Sequence, residues 1–178
     1  MKKRRTRMKM RKGIYILPNL LTTGNLLCGF WAIISVFQEQ FYYAAVAILL
    51  ASVFDAFDGK VAKLSRATSK FGMQYDSLAD LVSFGIAPAL LAFSWALRPY
   101  GKFGWLAAFT FVACGAIRLA RYNVMASSGE TKYFKGVPIP VAAAMIALTI
   151  LLYQRLVTNP NGQNPKFKAF TRALAAGS

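Results

Sequence analysis

Five apolar stretches, each long enough to cross a membrane, take up most of this chain: Ile14–Phe37, Tyr42–Ala62, Met73–Leu97, Phe103–Met125 and Pro138–Val157. A bilayer core about 30 Å thick needs roughly 20 predominantly apolar residues per helical crossing. Peptide groups in hydrocarbon have no water to bond, so each stretch must satisfy its own as a helix. The connections 38–41, 63–72, 98–102 and 126–137 are too short to be domain linkers, and no internal repeat or low-complexity tract is present. The expected fold is all-α: a polytopic transmembrane helix bundle of one domain over 14–157, after a basic segment 1–13 and before a polar tail 158–178. A hydrophobic content of 56% and a mean hydropathy of +0.41 agree with this, since soluble domains are less apolar.

The net charge of +16 would ordinarily suggest a nucleic-acid partner. The membrane explains it better. Eight of the 22 cations (Lys2, Lys3, Arg4, Arg5, Arg7, Lys9, Arg11 and Lys12) precede the first apolar run, as in a juxtamembrane segment facing anionic phospholipid. No nucleic-acid partner is expected. The first run is too long for the apolar core of a signal peptide. Cys28 and Cys114 both sit inside apolar stretches, which excludes a disulfide framework, and the absence of His excludes imidazole ligands and bases.

Lysine and arginine also set the expected orientation. With the amino terminus in the cytoplasm, Lys60, Lys63, Arg66 and Lys70 fall on that side, as do Arg118, Arg121, Lys132 and Lys135. Only Arg98 and Lys102, with Arg155 at the end of the fifth span, fall opposite, the tail aside. The expected setting is a multi-pass protein of the inner cell membrane. Five spans leave the tail, with Lys166, Lys168 and Arg172, on the far side. The tail is either a translocated polar segment or the beginning of a further span.

All four aspartates of the chain, Asp55, Asp58, Asp76 and Asp80, lie toward the cytoplasmic ends of the second and third spans. A carboxylate at membrane depth is costly and is usually kept for an ion, a proton or a substrate. Spacings of three (55 to 58) and four (76 to 80) each place a pair on one helix face. Two neighbouring helices would thus offer four carboxylates to one site. Oxygen ligands without nitrogen or sulfur suit Mg²⁺ or Mn²⁺. Four are more than one divalent ion needs, so two ions, or one ion and a base, fit better. Gly59 and Gly72 would let a backbone or a substrate come close, and Lys63, Arg66 and Lys70 could meet phosphate. The blander alternative is a set of salt bridges to Lys60, Lys63 or Arg118.

Written out, the window is Asp55-x-x-Asp58-Gly59-x-x-Ala62-Lys63, eight residues, then Gly72-x-x-x-Asp76-x-x-x-Asp80. It resembles the signature of the CDP-alcohol phosphotransferase family, with Lys63 where the family usually has Arg. Lysine keeps the charge but lacks the planar bidentate fork. The resemblance extends to Gly13–Phe30, to Asp80-Leu-Val-Ser83-Phe-Gly85-Ile-Ala-Pro88 and to Arg118-Leu-Ala-Arg121-Tyr-Asn123, which look like the serine-using branch of the family. The family core has six or more spans, which implies that a further one belongs after the fifth.

The resemblance implies transfer of a phosphatidyl group from CDP-diacylglycerol to L-serine. It implies that Asp55, Asp58, Asp76 and Asp80 hold two divalent cations, Mg²⁺ or Mn²⁺, and that Asp80 is also the general base. CDP-diacylglycerol would be met by Asn19, Thr22, Gly59, Ala62, Lys63, Arg66 and Gly72. Asn19 can equally be read as the cap of the first span after Pro18. Arg118 and Arg121 would hold the serine carboxylate, with snorkelling to lipid headgroups the alternative. Anionic phospholipid and a second copy, as a homodimer, complete the implied partners. Glycerol phosphate or inositol phosphate as acceptor is the rival within the same chemistry. A Mg²⁺ transporter is the rival outside it, and a single acidic cluster without repeats disfavours that.

Overall fold

The computed structural model describes the backbone over 2–65, 70–128 and 137–157, and side chains over 19–57, at Gly59, and over 71–125 and 137–157. The elements are helices α1 (Lys2–Phe37), α2 (Phe41–Ser65) and α3 (Lys70–Asp80), a π-helical segment Leu81–Ile86, and α4 (Ala87–Ala92). A second π-helical segment Phe93–Leu97, a 3₁₀ turn Arg98–Tyr100, α5 (Gly101–Ser128) and α6 (Ile139–Val157) follow. The fold is a polytopic helical bundle without strands among the described residues, as the apolar pattern predicts.

Asn19–Phe37, Phe71–Met125 and Ile139–Val157 are long and apolar enough to cross a membrane, and Phe41–Phe57 is a shorter apolar helix. The 55 residues of Phe71–Met125 contain a reversal at Gly101. Its φ of 53° is a left-handed value that glycine adopts at little cost. α5 therefore returns against α3, the first π segment and α4. α1 is longer than the expected first span, because the basic segment continues the same helix. The expected tail 158–178 lies outside the described residues.

Both π segments precede a proline, Pro88 and Pro99. Proline lacks the N–H that the carbonyl four residues earlier would accept, and a local widening of the helix relieves the mismatch. Around the first one, the Ala87 N–H bonds the Val82 carbonyl, five residues back. At the other end of α1 the chain turns through Glu39, at φ 59°, with Glu39 N–H on Val36 O (3.0 Å) and Gln40 N–H on Ser35 O (2.9 Å). That pair of bonds closes the helix carboxyl end as a Schellman motif.

Interior and exterior are the reverse of a water-soluble bundle. Buried positions are mostly small: Ala32 on α1, Ala44, Ala47 and Ala51 on α2, Ala143 and Ala147 on α6. Small residues spaced three and four apart let helix backbones approach closely, the main source of packing when lipid is as apolar as the core. Buried with them are Thr22, Asn25, Ser35, Asp80, Ser83 and Asn123. Leu20, Leu27, Phe37, Phe103, Ile117 and Leu156 face outward. Water would penalise such a surface, whereas hydrocarbon does not, and the protein is a membrane protein.

The tightest approach is between α1 and the first π segment. A Cβ on Gly29 would lie 2.7 Å from Ser83 Cα, inside van der Waals contact. Ser83 Oγ donates to the Asn25 carbonyl at 3.0 Å, one turn earlier on α1. Gly29→Ala should therefore destabilise the bundle by about 1–3 kcal/mol, the usual cost of overpacking. Thermal unfolding in detergent measures it. An unchanged midpoint would mean that the two segments do not meet at Gly29.

Candidate active site

α2 and α3 bring their acidic side chains together although their sequences are separated by a connection. One carboxylate oxygen from each of Asp55, Asp76 and Asp80 lies within 4.8 Å of the others. Asp55 and Asp76 are half-buried and Asp80 is buried. The four-residue step from Asp76 to Asp80 is one turn of α3, as the spacing predicts. The Asp58 side chain lies outside the described residues, as do the side chains of Ala62 and Lys63 and the whole of Arg66. A convergent set of carboxylate oxygens, without nitrogen or sulfur donors, fits a hard divalent cation.

Neighbouring helices hold this cluster through polar contacts. The Asn25 side-chain N–H on α1 donates to Asp80 Oδ1 at 3.0 Å, in a buried setting. Thr23, also on α1, shares a hydroxyl hydrogen bond of 3.0 Å with Tyr75 on α3. On the other side, α5 docks through Asn123. Its amide N–H group donates to Ser77 Oγ at 2.9 Å and to Gln74 Oε1 at 3.2 Å. Ser77 also donates to the Met73 carbonyl at 3.1 Å. α3 is thus tied from two directions, by α1 and by α5. Asn25 and Asn123 are amides in otherwise apolar helices, and that polarity is the sequence signal that could have marked them.

The other expected site residues separate into groups. Thr22 is buried in the packing of α1, and Asn19 is half-buried, its carbonyl accepting from Thr23 Oγ1 at 2.7 Å. The reading of Asn19 as a helix cap is overturned, because α1 runs unbroken through Pro18 and Asn19. Gly72 is half-buried. Gly59 is exposed, and a Cβ built on it meets nothing within 4 Å among the described residues, so helix packing against them does not account for it. Arg118 is half-buried and Arg121 exposed on α5, five and two residues before Asn123 and therefore at the aspartate end of the bundle. The opposite end is marked by Arg98 and Glu39, an exposed pair 4.0 Å apart.

With this geometry, sequence comparison gives the class. Residues 15–176 match the family model described as CDP-alcohol phosphatidyltransferase. The chain belongs to that family. It is 39% identical over 139 residues to a Helicobacter pylori protein named CDP-diacylglycerol–serine O-phosphatidyltransferase, covering 78% of this chain and 59% of that protein. A Bacillus subtilis protein of the same name is 37% identical over 141 residues, covering 79% of this chain and 78% of the relative. A Saccharomyces cerevisiae protein of that name is 38% identical over 144 residues, covering 73% and 51%. The chain therefore spans between half and four fifths of the length of these relatives.

Gly59 offers a direct check on the nucleotide side of the site. In an open helical position, Gly59→Ala should raise stability by about 0.5–1 kcal/mol through helix propensity alone. If Gly59 makes room for a ligand, the same change should weaken CDP-diacylglycerol binding. Unfolding and binding measured on one preparation read both signs. Binding equal to wild type would remove Gly59 from the nucleotide site.

Proposed function

We propose that this protein transfers the phosphatidyl group of CDP-diacylglycerol to the hydroxyl of L-serine, giving phosphatidylserine and CMP, at the cytoplasmic face of the inner cell membrane. The observation that supports it most is the convergence of Asp55, Asp76 and Asp80 in a member of this family. The names of the relatives point to serine as acceptor. The basic amino-terminal segment would face anionic phospholipid, and the working unit would be a homodimer.

In this reading Asp55, Asp58, Asp76 and Asp80 hold two divalent cations, Mg²⁺ or Mn²⁺. Bound there, the cations would neutralise the pyrophosphate and the charge on departing CMP. Asn19, Thr22, Gly59, Ala62, Lys63, Arg66 and Gly72 would receive the nucleotide lipid. Arg118 and Arg121 would hold the serine carboxylate, which a guanidinium matches with paired hydrogen bonds. Asp80 then accepts the hydroxyl proton as the serine oxygen forms its bond to the phosphatidyl phosphorus. The bond from that phosphorus to the CMP oxygen breaks. A free hydroxyl is far too weak an acid for an unaided carboxylate, so proton transfer and attack are concerted.

Release of CMP by purified protein, with serine, glycerol phosphate and inositol phosphate compared as acceptors, tests the reaction. Serine alone should support turnover, and EDTA should abolish it until Mg²⁺ or Mn²⁺ is returned. Ca²⁺, which prefers longer bonds and more ligands, should restore little. Asp80→Asn should lose at least about 10²-fold in rate, the low end for a removed general base. Turnover with a phosphorylated acceptor would replace serine in this reading, and full activity after chelation would sink the metal chemistry.

The carboxylate clamp makes a separate prediction. Arg118→Ala or Arg121→Ala should raise the KM for serine much more than that for CDP-diacylglycerol, with the larger effect at half-buried Arg118, where a hydrogen bond to a charged group is worth about 1.5–3 kcal/mol, than at exposed Arg121. Serine methyl ester and ethanolamine, which lack the carboxylate, should be poor acceptors for wild type and lose little more in the variant. Folding damage would depress every acceptor alike. A normal serine KM in both variants would assign these arginines to lipid headgroups.

A further inference from the structure

Asn25 lies beside the acidic cluster with no exposed surface. Its N–H on Asp80 Oδ1, at 3.0 Å, joins α1 to α3 across 55 positions of sequence. Three features fix where that amide sits. Ser83 Oγ donates to the carbonyl of Asn25 itself. Gly29, one turn on, lets the Ser83 backbone close against α1. The π segment that carries Ser83 begins at Leu81, immediately after Asp80. Any shift of α1 along this seam moves the amide relative to the carboxylate.

The amide also has a defined direction. Asn25 Oδ1 is buried without a hydrogen-bond partner among the described residues. A buried acceptor left unpaired is costly. Turning the amide over would set Oδ1 against Asp80 Oδ1, acceptor against acceptor, and would orphan the donor instead. The fold thus tolerates one idle acceptor in order to keep the donor on Asp80.

We infer that Asn25 is a positioning residue: by holding one oxygen of Asp80 it directs the carboxylate toward Asp55 and Asp76, and so sets the affinity of the cluster for a divalent cation. This rests on the metal reading proposed above but does not depend on the acceptor. An amide bonded to a carboxylate ligand fixes the direction of the ligand, and the loss of such a partner typically lowers metal affinity or activity about 10–100-fold. Nothing in the family signature predicts this role, because Asn25 lies 30 residues before its first aspartate.

The test is a titration of the purified full chain with MnCl₂, read by electron paramagnetic resonance, alongside thermal unfolding. Asn25→Leu, of similar size but without the donor, should weaken Mn²⁺ binding about 10–100-fold. Ala44→Val is the control for destabilisation alone. Ala44 is buried on α2, eleven residues or about 16 Å of helix from Asp55, so its variant should lower the melting temperature and leave Mn²⁺ affinity unchanged. If Asn25 acts through Asp80, then Asn25→Leu should add no further loss in an Asp80→Asn background, whereas independent effects would add. Asn25→Ser, smaller and still polar, repeats the titration if Asn25→Leu does not fold. Wild-type Mn²⁺ affinity in the Asn25 variant, or additive losses in the double variant, would overturn the inference. A wild type that binds Mn²⁺ but releases no CMP with serine would sink the reaction and leave this role standing. A wild type that binds no Mn²⁺ would overturn the metal site and this role together.

Discussion

Three carboxylate oxygens within 4.8 Å of one another are the constraint around which this protein is organised. At that separation two unit charges repel by about 3–4 kcal/mol even at an effective dielectric constant of about 20. If all three were ionised, half-buried Asp55 and Asp76 and buried Asp80 would repel one another. Two responses relieve such repulsion: a proton on one group, or a cation among them. A divalent cation converts repulsion into attraction, and its binding energy grows with how firmly the carboxylates are held together beforehand. The packing around the cluster can be understood as the means of holding them.

That packing divides into two seams of different chemistry. Along α1, α2 and α6 the contact surface is largely alanine, which brings backbones close and depends on dispersion. Along α1, α3 and α5, at the aspartate end, it is amide and hydroxyl: Asn25 on Asp80, Thr23 with Tyr75, Asn123 on Ser77 and Gln74. The apolar seam supplies close contact that tolerates sliding. The polar seam has directional bonds that do not. Directionality is placed where carboxylate geometry matters, and the widened turn at Leu81–Ile86 lets the chain after Asp80 meet α1 without straightening α3.

The bundle was legible because lipid makes a simple demand, a helix for every long apolar run, and the sequence obeys it with ends within a few residues of the observed ones, except that α1 begins at Lys2 rather than Ile14. The aspartate pairs were legible for a similar reason, since spacings of three and four state a helix face directly. Which helices meet is a different matter. Nothing in the spacing of Asn25 says that it lies under Asp80, or in that of Asn123 that it binds Ser77, because those contacts join distant segments. Asn19 reads as a cap as readily as a nucleotide contact because proline commonly opens a helix, but α1 absorbs Pro18 and continues. The π segments were not foreseen either. They follow from Pro88 and Pro99 only once the helix is known to run into both.

The acidic cluster draws on four helices, and this bears on how one fold can serve different acceptors. α2 and α3 carry the carboxylates, α1 steadies Asp80, and α5 steadies α3 through Asn123 while bearing Arg118 and Arg121. α5 therefore has two faces at this level, one bonded to α3 and one carrying cations. Changing exposed Arg121 leaves the Asn123 bonds intact, so in the reading proposed here acceptor recognition can vary at that position without loosening α3. The converse does not hold. Loss of the Asn123 bonds would free α3 and the arginines together, so a change there should disturb metal and acceptor alike, while a change at exposed Arg121 should disturb the acceptor first. Separating the two on one helix is possible because a helix presents different residues to different neighbours every turn, and α5 has Asn123 facing inward with Arg121 facing out.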